Sequence, residues 1–314
     1  MRHRVLIYSG TLSPALEARL AAQYDTAFLP APGPERDSFL AAHGAEFEGL
    51  ATSARFGANA QLIAALPSLK VISSFGVGLD QIDLPAAQAR GIAVGYTPDV
   101  LNDCVADTAF LLLMDVARGG SASDRFVRRS DWKNKGNFHL TTRVSGKRMG
   151  ILGMGRIGRV IAKRGTGFDM EIRYHNRRQL DDVDYGYAAT LKELAEWADF
   201  LVIASAGGAE TRGLVSKEIL EALGPDGFLI NISRGTVVDE VALVDALANK
   251  RIAGAGLDVF DKEPHVPEAL FALDNVVLFP HLASNTHETR ADMARRVEDN
   301  LAAFFAGKPL VSAV

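Results

Sequence analysis

The sequence predicts an α/β protein built on doubly wound parallel sheets, and three observations carry that expectation. Short apolar runs rich in Val and Ile alternate with segments of helical period along nearly the whole chain, the pattern of parallel strands covered by helices on both faces. The length of 314 residues is enough for about two domains at roughly 150 residues each. A glycine-rich loop, Gly153 to Gly158, follows one apolar run and opens a helix-compatible segment.

Taken in order, strands are expected at Val5–Tyr8, Lys70–Ser74 and Ile92–Val94, with helices near Pro14–Gln23 and Ala60–Ala65. A long apolar helix pattern runs from Asp103 to Ala117, and at Gly119-Gly120 the composition changes. Ser121–Arg148 is polar and basic, with Arg125, Arg128, Arg129, Lys133, Lys135, Arg143 and Lys147 around an isolated Trp132, and reads as an excursion from a packed core. Strands then resume at Met149–Leu152, Glu171–Tyr174, Phe200–Ala204, Phe228–Ile232, Ala255–Val259 and Val276–Phe279, which makes a second, six-stranded doubly wound sheet. Between them, Thr190-Leu-Lys-Glu193 has capping-box spacing, Ser216 stands where an N-cap belongs, and Asp239–Asn249 places apolar residues at helical intervals. The last helix, about Glu288–Phe305, stops at Gly307-Lys308-Pro309.

Composition narrows the function. Hydrophobic residues at 48% and charged residues at 23% exclude a disordered, collagenous or coiled-coil chain. With 34 Lys and Arg against 38 Asp and Glu, the net charge of −4 exerts no general pull on phosphate backbones or anionic lipid, so neither nucleic acid nor membrane is expected as a partner. Cys104 is the single cysteine, which excludes an intramolecular disulfide and a Cys-rich metal site, and no metal is expected. The run Val5–Tyr8 is too short for a signal-peptide core or a membrane span, so the expected location is the cytoplasm.

The loop Gly153-Met154-Gly155-Arg156-Ile157-Gly158 has the spacing of a dinucleotide cradle. Its first glycine makes the tight turn, its second lets the backbone approach a pyrophosphate, and its third lets the helix pack on the strand, while the helix N-terminus offers unpaired N–H groups to the phosphates. A glycine-rich turn without a ligand is the alternative. After the next strand, Asn176-Arg177-Arg178 carries no carboxylate to accept from a ribose 2′-hydroxyl and two guanidiniums suited to a 2′-phosphate. This predicts NADP(H) in preference to NAD(H), against the alternative of a solvated basic strand end. Gly76-Val77-Gly78 also follows a strand, but with Gln at position 81 it reads as a close-approach loop for substrate.

Three polar residues follow apolar strand runs and so belong at the carboxyl edge of a sheet, where doubly wound folds bind ligands: Arg234, Glu263 and His281. An arginine can grip a carboxylate through two parallel hydrogen bonds, and a histidine held by a carboxylate can exchange a proton near neutral pH. Together they suit reduction of a 2-keto acid by hydride from a nicotinamide. Each also has a plain structural alternative: a packed or surface His281, a loop acid at Glu263, a cap or ion pair at Arg234.

Four ordered motifs carry a resemblance that spans essentially the full chain: the glycine loop, Asn231-Ile-Ser-Arg-Gly-Thr236, Gly254-Ala-Gly-Leu-Asp-Val-Phe260 with Glu263-Pro264, and Pro280-His281. The chain resembles the D-isomer-specific 2-hydroxyacid dehydrogenases. It is most similar to their glyoxylate/hydroxypyruvate and hydroxyphenylpyruvate reductase branch through Ser73-Ser-Phe-Gly-Val-Gly-Leu-Asp80, Thr97-Pro-Asp99 and Asn176-Arg-Arg178. The resemblance implies two doubly wound domains. A Rossmann coenzyme domain, 100–285, would be inserted in a smaller flavodoxin-like substrate domain, 1–99 and 286–314, with hinge helices near 100–118 and 286–305. It implies Arg234 as the carboxylate-binding arginine, Glu263 as the supporting acid and His281 as the acid/base. Asp258 would lie near the nicotinamide amide, and Ser205, Thr211 and Ile232 would join Gly153 to Gly158 and Asn176 to Arg178 as coenzyme contacts. Ala54, Val77, Gly78 and Ser284 would touch substrate. The excursion, about 119–148, would be the arm of a homodimer, with Trp132 of the partner subunit reaching into the site; a solvated loop anchored locally by that tryptophan is the alternative. The chain departs from the family at Ala206-Gly207-Gly208, where many relatives have Pro-Leu-Thr, and at Ala283-Ser284-Asn285 after the histidine. Glu263 in place of a glutamine speaks against a formate dehydrogenase.

The expected function is NADPH-dependent reduction of small 2-keto acids, glyoxylate and hydroxypyruvate, to D-2-hydroxy acids. The alternatives are the same chemistry on hydroxyphenylpyruvate or 2-ketogluconate, and an NAD(P)-sensing binding protein without physiological turnover.

Overall fold

The computed structural model describes residues 2–8, 10 and 12–314. Caps and prolines set the helices of the first hundred residues between short parallel strands. β1 (Arg4–Tyr8) leads to α1 (Pro14–Gln23), whose Ser13 hydroxyl accepts from Leu16 N at 3.3 Å with proline at the first helical position. Next come β2 (Asp25–Leu29), α2 (Pro34–His43), β3 (Gly49–Ser53) and α3 (Ala60–Ala64), the last capped by Asn59. β4 (Val71–Phe75), α4 (Leu84–Ala89) and β5 (Ala93–Gly95) complete a five-stranded parallel sheet of order β2-β1-β3-β4-β5, the flavodoxin-like arrangement. Two of these strands, β2 and β3, and two helices, α2 and α4, are additions to the sequence expectation. β3 reads Gly-Leu-Ala-Thr-Ser, with no bulky run, yet every residue is buried between covering helices, while α2 buries no residue fully and packs the partly buried Phe39 and Leu40 against the core.

The second unit opens with α5 (Asn102–Arg118). The basic excursion is helical in its first half, as α6 (Gly120–Arg128) and α7 (Asp131–Lys135), rather than a loop, and Trp132 is 63% exposed, so it does not anchor the segment locally. The sheet then runs through β6 (Arg148–Leu152), α8 (Arg156–Thr166), β7 (Glu171–His175), β8 (Gly186–Tyr187), α9 (Leu191–Trp197) and β9 (Phe200–Ile203). It closes with α10 (Lys217–Leu223), β10 (Phe228–Asn231), α11 (Glu240–Ala248), β11 (Gly254–Leu257) and β12 (Val276–Leu278). All strands are parallel in the order β12-β11-β10-β9-β6-β7-β8, seven rather than six, because the two-residue edge strand β8 is too short to show a pattern. The order reverses at β6, which pairs with both β7 and β9, and that switch point opens the crevice where such sheets take ligands. Thr190 caps α9 and Asp239 caps α11, whereas Ser216 occupies the cap position of α10 without a side-chain bond.

α12 (His287–Phe305) belongs with the first sheet, not the second. Ser73 Oγ on β4 donates to Val297 O at 3.1 Å, and the buried Asn300 donates to Tyr96 O at 3.2 Å and accepts from Ser312 N at 3.0 Å. The chain therefore divides into Met1–Leu101 with Thr286–Val314, and Asn102–Asn285. No helix among the described residues is long and apolar enough to cross a membrane.

Candidate active site

In the second unit the residues expected to bind coenzyme gather at the carboxyl ends of β6, β7, β9 and β10. The chain leaves β6 through Gly153 at φ +101°, and a Cβ there would lie 2.5 Å from Ser205 N. A Cβ on Gly158 would lie 2.1 Å from Gly153 O, so this glycine is what lets α8 sit on its strand. At Gly155, by contrast, a Cβ would meet no protein atom within 4 Å, and α8 begins there without a side-chain cap. A helix N-terminus without a side-chain cap is a place where an anion can be received. Met154 N donates to Asn176 Oδ1 at 2.7 Å, tying the end of β7 to the loop. The Ser205 hydroxyl is buried and has no hydrogen-bond partner among the described residues, and Ile232 is buried just past β10. The open cradle at Gly155, the uncapped helix and the orphaned hydroxyl fit a dinucleotide pyrophosphate. Thr211 stands on the turn Ala209–Thr211, and its hydroxyl donates to Ala206 O at 2.9 Å, closing that loop on itself. Arg177 and Arg178 are exposed, and Arg177 Nη1 lies 2.7 Å from Glu210 Oε2.

On the same edge, past β10, β11 and β12, stand Arg234, Glu263 and His281. His281 Nδ1 lies 2.8 Å from Glu263 Oε2, and Glu263 Oε1 accepts from Phe260 N at 3.2 Å. A carboxylate only accepts, so Nδ1 carries the proton and Nε2 is the ring nitrogen turned away from Glu263. Burial raises the Glu263 pKa, but the hydrogen bond and charge of His281, the Phe260 N–H and the Arg234 charge outweigh it and hold the carboxyl below its ordinary value. His281 has φ +53°, a left-handed conformation that residues with a Cβ seldom adopt. The fully buried Asp258 over-determines it, accepting from Leu282 N at 2.7 Å and Ala283 N at 3.0 Å, and Cys104 Sγ on α5 donates to Ala283 O at 2.9 Å. Burial pushes the Asp258 carboxyl up, against the pull of those two N–H groups and of His281.

Arg234 is brought to Glu263 by a backbone contact: a Cβ on Gly235 would lie 1.9 Å from Phe260 C. The loop is shaped by Asn231, a buried residue the sequence reading did not single out, whose Nδ2 donates to Arg234 O at 3.0 Å and whose Oδ1 accepts from Ser233 N at 3.1 Å. An asparagine ending an otherwise apolar strand was the available signal. Arg234 itself is half-buried, with Nη1 donating to Ser233 O at 2.8 Å. Ser284 lies in the turn that carries His281.

In the first unit, Ala54 follows β3 and Val77 and Gly78 follow β4. Gly76, at φ +138°, brings these loops so close that its Cβ would lie 2.5 Å from Ala54 Cβ, and Gly76 N donates to Thr97 Oγ1 at 3.0 Å.

A histidine held by a carboxylate, beside an arginine and on one sheet edge with a dinucleotide cradle, defines an NAD(P)-binding oxidoreductase. The chain belongs to the D-isomer specific 2-hydroxyacid dehydrogenases, whose NAD binding domain matches residues 110–283. It is 48% identical over 281 residues to hydroxyphenylpyruvate reductase of Plectranthus scutellarioides, with 90% of each chain covered. Glyoxylate/hydroxypyruvate reductase A of Arabidopsis thaliana is also 48% identical over 281 residues, again with 90% of each chain covered. The crystal structure of NADPH-dependent glyoxylate/hydroxypyruvate reductase of Sinorhizobium meliloti in complex with NADP and malonate matches with a TM-score of 0.93 and 40% identity, over 100% of this chain and 97% of that one.

Proposed function

We propose that the protein reduces small 2-keto acids, glyoxylate and hydroxypyruvate, to D-2-hydroxy acids with NADPH. The observation that carries this reading is the His281–Glu263 pair, 2.8 Å from Nδ1 to Oε2, past the strand ends that also bear Arg234 and the glycine loop. His281 is the general acid: Glu263 orients the ring through Nδ1, and Nε2 delivers the proton to the carbonyl oxygen. Arg234 binds the substrate carboxylate, and Asp258 holds the turn that carries His281 and lies beside the nicotinamide amide. When bound, the nicotinamide supplies the hydride. Gly153 to Gly158, Asn176, Ser205, Thr211 and Ile232 hold the coenzyme, which makes 102–285 the NADP-binding domain, and Arg177 and Arg178 receive its 2′-phosphate. Ala54, Val77, Gly78 and Ser284 are substrate contacts. The support for NADPH is that Asn176-Arg177-Arg178, following β7, carries no carboxylate of its own and that both guanidiniums are exposed, with Arg177 paired to Glu210 across the loop.

Oxidation of NADPH and of NADH against glyoxylate, hydroxypyruvate, pyruvate, 4-hydroxyphenylpyruvate and 2-ketogluconate tests the reading. The highest kcat/KM is expected with NADPH on the first two, and the Arg177→Ala, Arg178→Ala double variant is expected to lower the NADPH-over-NADH ratio about tenfold or more. A bulky preference would move the substrate while keeping the reaction, and an unchanged ratio in the double variant would reject the arginines. Measurable NADPH binding with no turnover on any acid would favour a sensing role.

The same reading makes the protein a homodimer through the 119–148 arm, with Trp132 of one chain entering the site of the other. Its support is the apolar surface in and beside the arm, where Leu111 is 53%, Trp132 63% and Leu140 99% exposed. Light scattering is expected to give the mass of two chains; a monomer would remove this part of the proposal.

A further inference from the structure

We propose that Gly207 is a positioning residue for Arg234: the missing side chain at 207 sets where the guanidinium stands and so how tightly the protein holds a substrate carboxylate. The inference rests on the reading of Arg234 as the carboxylate-binding group. β9 ends at Ile203, and Ala206-Gly207-Gly208 then leads into the turn Ala209–Thr211. A Cβ built on Gly207 would lie 2.5 Å from Arg234 Cγ, 3.2 Å from its Cβ and 3.6 Å from its Cδ, so the nearest atoms it would meet all belong to one side chain. Carbon atoms in contact sit about 3.5–4.0 Å apart, so the arginine occupies the place that a methyl group at 207 would take.

The backbone does not account for glycine here. Gly208 lies at φ +143°, where an L side chain is strained, whereas the φ of Gly207 lies outside that region. What residue 207 supplies is room. The crowded atom, Cγ, is at the root of the arginine rather than its tip, so it cannot yield by swinging the end of the chain. Relief requires rotation about the first torsions of Arg234, and that displacement is magnified at the guanidinium. The backbone of Arg234 has little freedom to compensate, since Asn231 Nδ2 holds its carbonyl at 3.0 Å and Ser233 Oγ accepts from its N–H at 2.6 Å. A side chain at 207 therefore moves the guanidinium and leaves His281, Glu263 and the glycine loop where they are.

The test is a double-mutant cycle of Gly207→Ala and Arg234→Ala at saturating NADPH with glyoxylate, with Gly208→Ala as control. Gly207→Ala is expected to raise the KM for glyoxylate roughly tenfold, the worth of one charge-assisted hydrogen bond, with kcat changed less than about threefold and the KM for NADPH and the melting temperature unchanged. In the Arg234→Ala background the same substitution is expected to add less than about twofold, because the side chain it acts through is gone. An unchanged KM, an equal rise in both backgrounds, or an equal rise in Gly208→Ala, which strains the loop but meets nothing within 4 Å, would overturn the proposal. A rise confined to the KM for NADPH would do the same, assigning the glycine to coenzyme access. If Arg234→Ala alone leaves kcat/KM intact, the carboxylate-binding role of Arg234 is what fails, independently of what Gly207→Ala does.

Discussion

Replacement of His281 by Ala is expected to lower kcat for glyoxylate by roughly 10²–10⁴ while NADPH binding, followed by its fluorescence, stays near that of the parent protein. The magnitude is that of a lost general acid, and the selectivity follows from position. His281 lies past β12, and its side chain is anchored by the 2.8 Å bond to Glu263, whereas the glycine loop lies past β6. The alanine also relinquishes nothing in the turn itself, because Asp258 holds Leu282 N and Ala283 N rather than the imidazole. Full turnover in this variant would remove His281 from the chemistry. The pair also has a predicted acid limit. Because the Glu263 pKa is depressed in the folded protein, its carboxylate persists below the ordinary glutamate value of about 4.3, and the pair is lost only as pH falls through that lower folded value. Loss of activity already between pH 6 and about 5 with the fold intact would contradict that sign.

Replacement of Arg234 by Ala is expected to lower kcat/KM for the keto acid by about 30-fold to several thousand-fold, corresponding to roughly 2–5 kcal/mol for truncating one partner of a desolvated charge pair. Most of the change should fall on KM, since the guanidinium holds the carboxylate in the ground state as well as in the transition state. Arg234→Lys is expected to recover only part of the loss: an ammonium keeps the charge but not the two parallel hydrogen bonds. An unchanged KM for glyoxylate in Arg234→Ala would show that the carboxylate is held elsewhere.

How far these sites could be read from the chain depended on the range of each signal. The glycine loop was legible because its requirements are met within six positions, by a turn, a close approach and a helix start that only glycine allows together. Arg234, Glu263 and His281 were legible because each follows an apolar run, which places it at a strand's carboxyl end. What escaped was less regular. β3, Gly-Leu-Ala-Thr-Ser, is buried by covering helices rather than by its own bulk, and β8 is a two-residue edge strand. Asn231 reads only as part of a motif and Asp258 as a residue near the nicotinamide amide, whereas in the fold the first also shapes the arginine loop and the second also locks the turn that carries the histidine.

The sequence by itself determined the alternation of strands and helices, the dinucleotide cradle and the family, because periodicity, turn chemistry and motif order are local or ordered properties of the chain. Only the tertiary structure decided that α12 covers the first sheet, that Asp258 reaches the N–H groups of Leu282 and Ala283, and that Arg234 lies where a side chain at 207 would be. These contacts join positions far apart in the chain, and the register of parallel strands and the packing of the loops beyond them set which atoms meet.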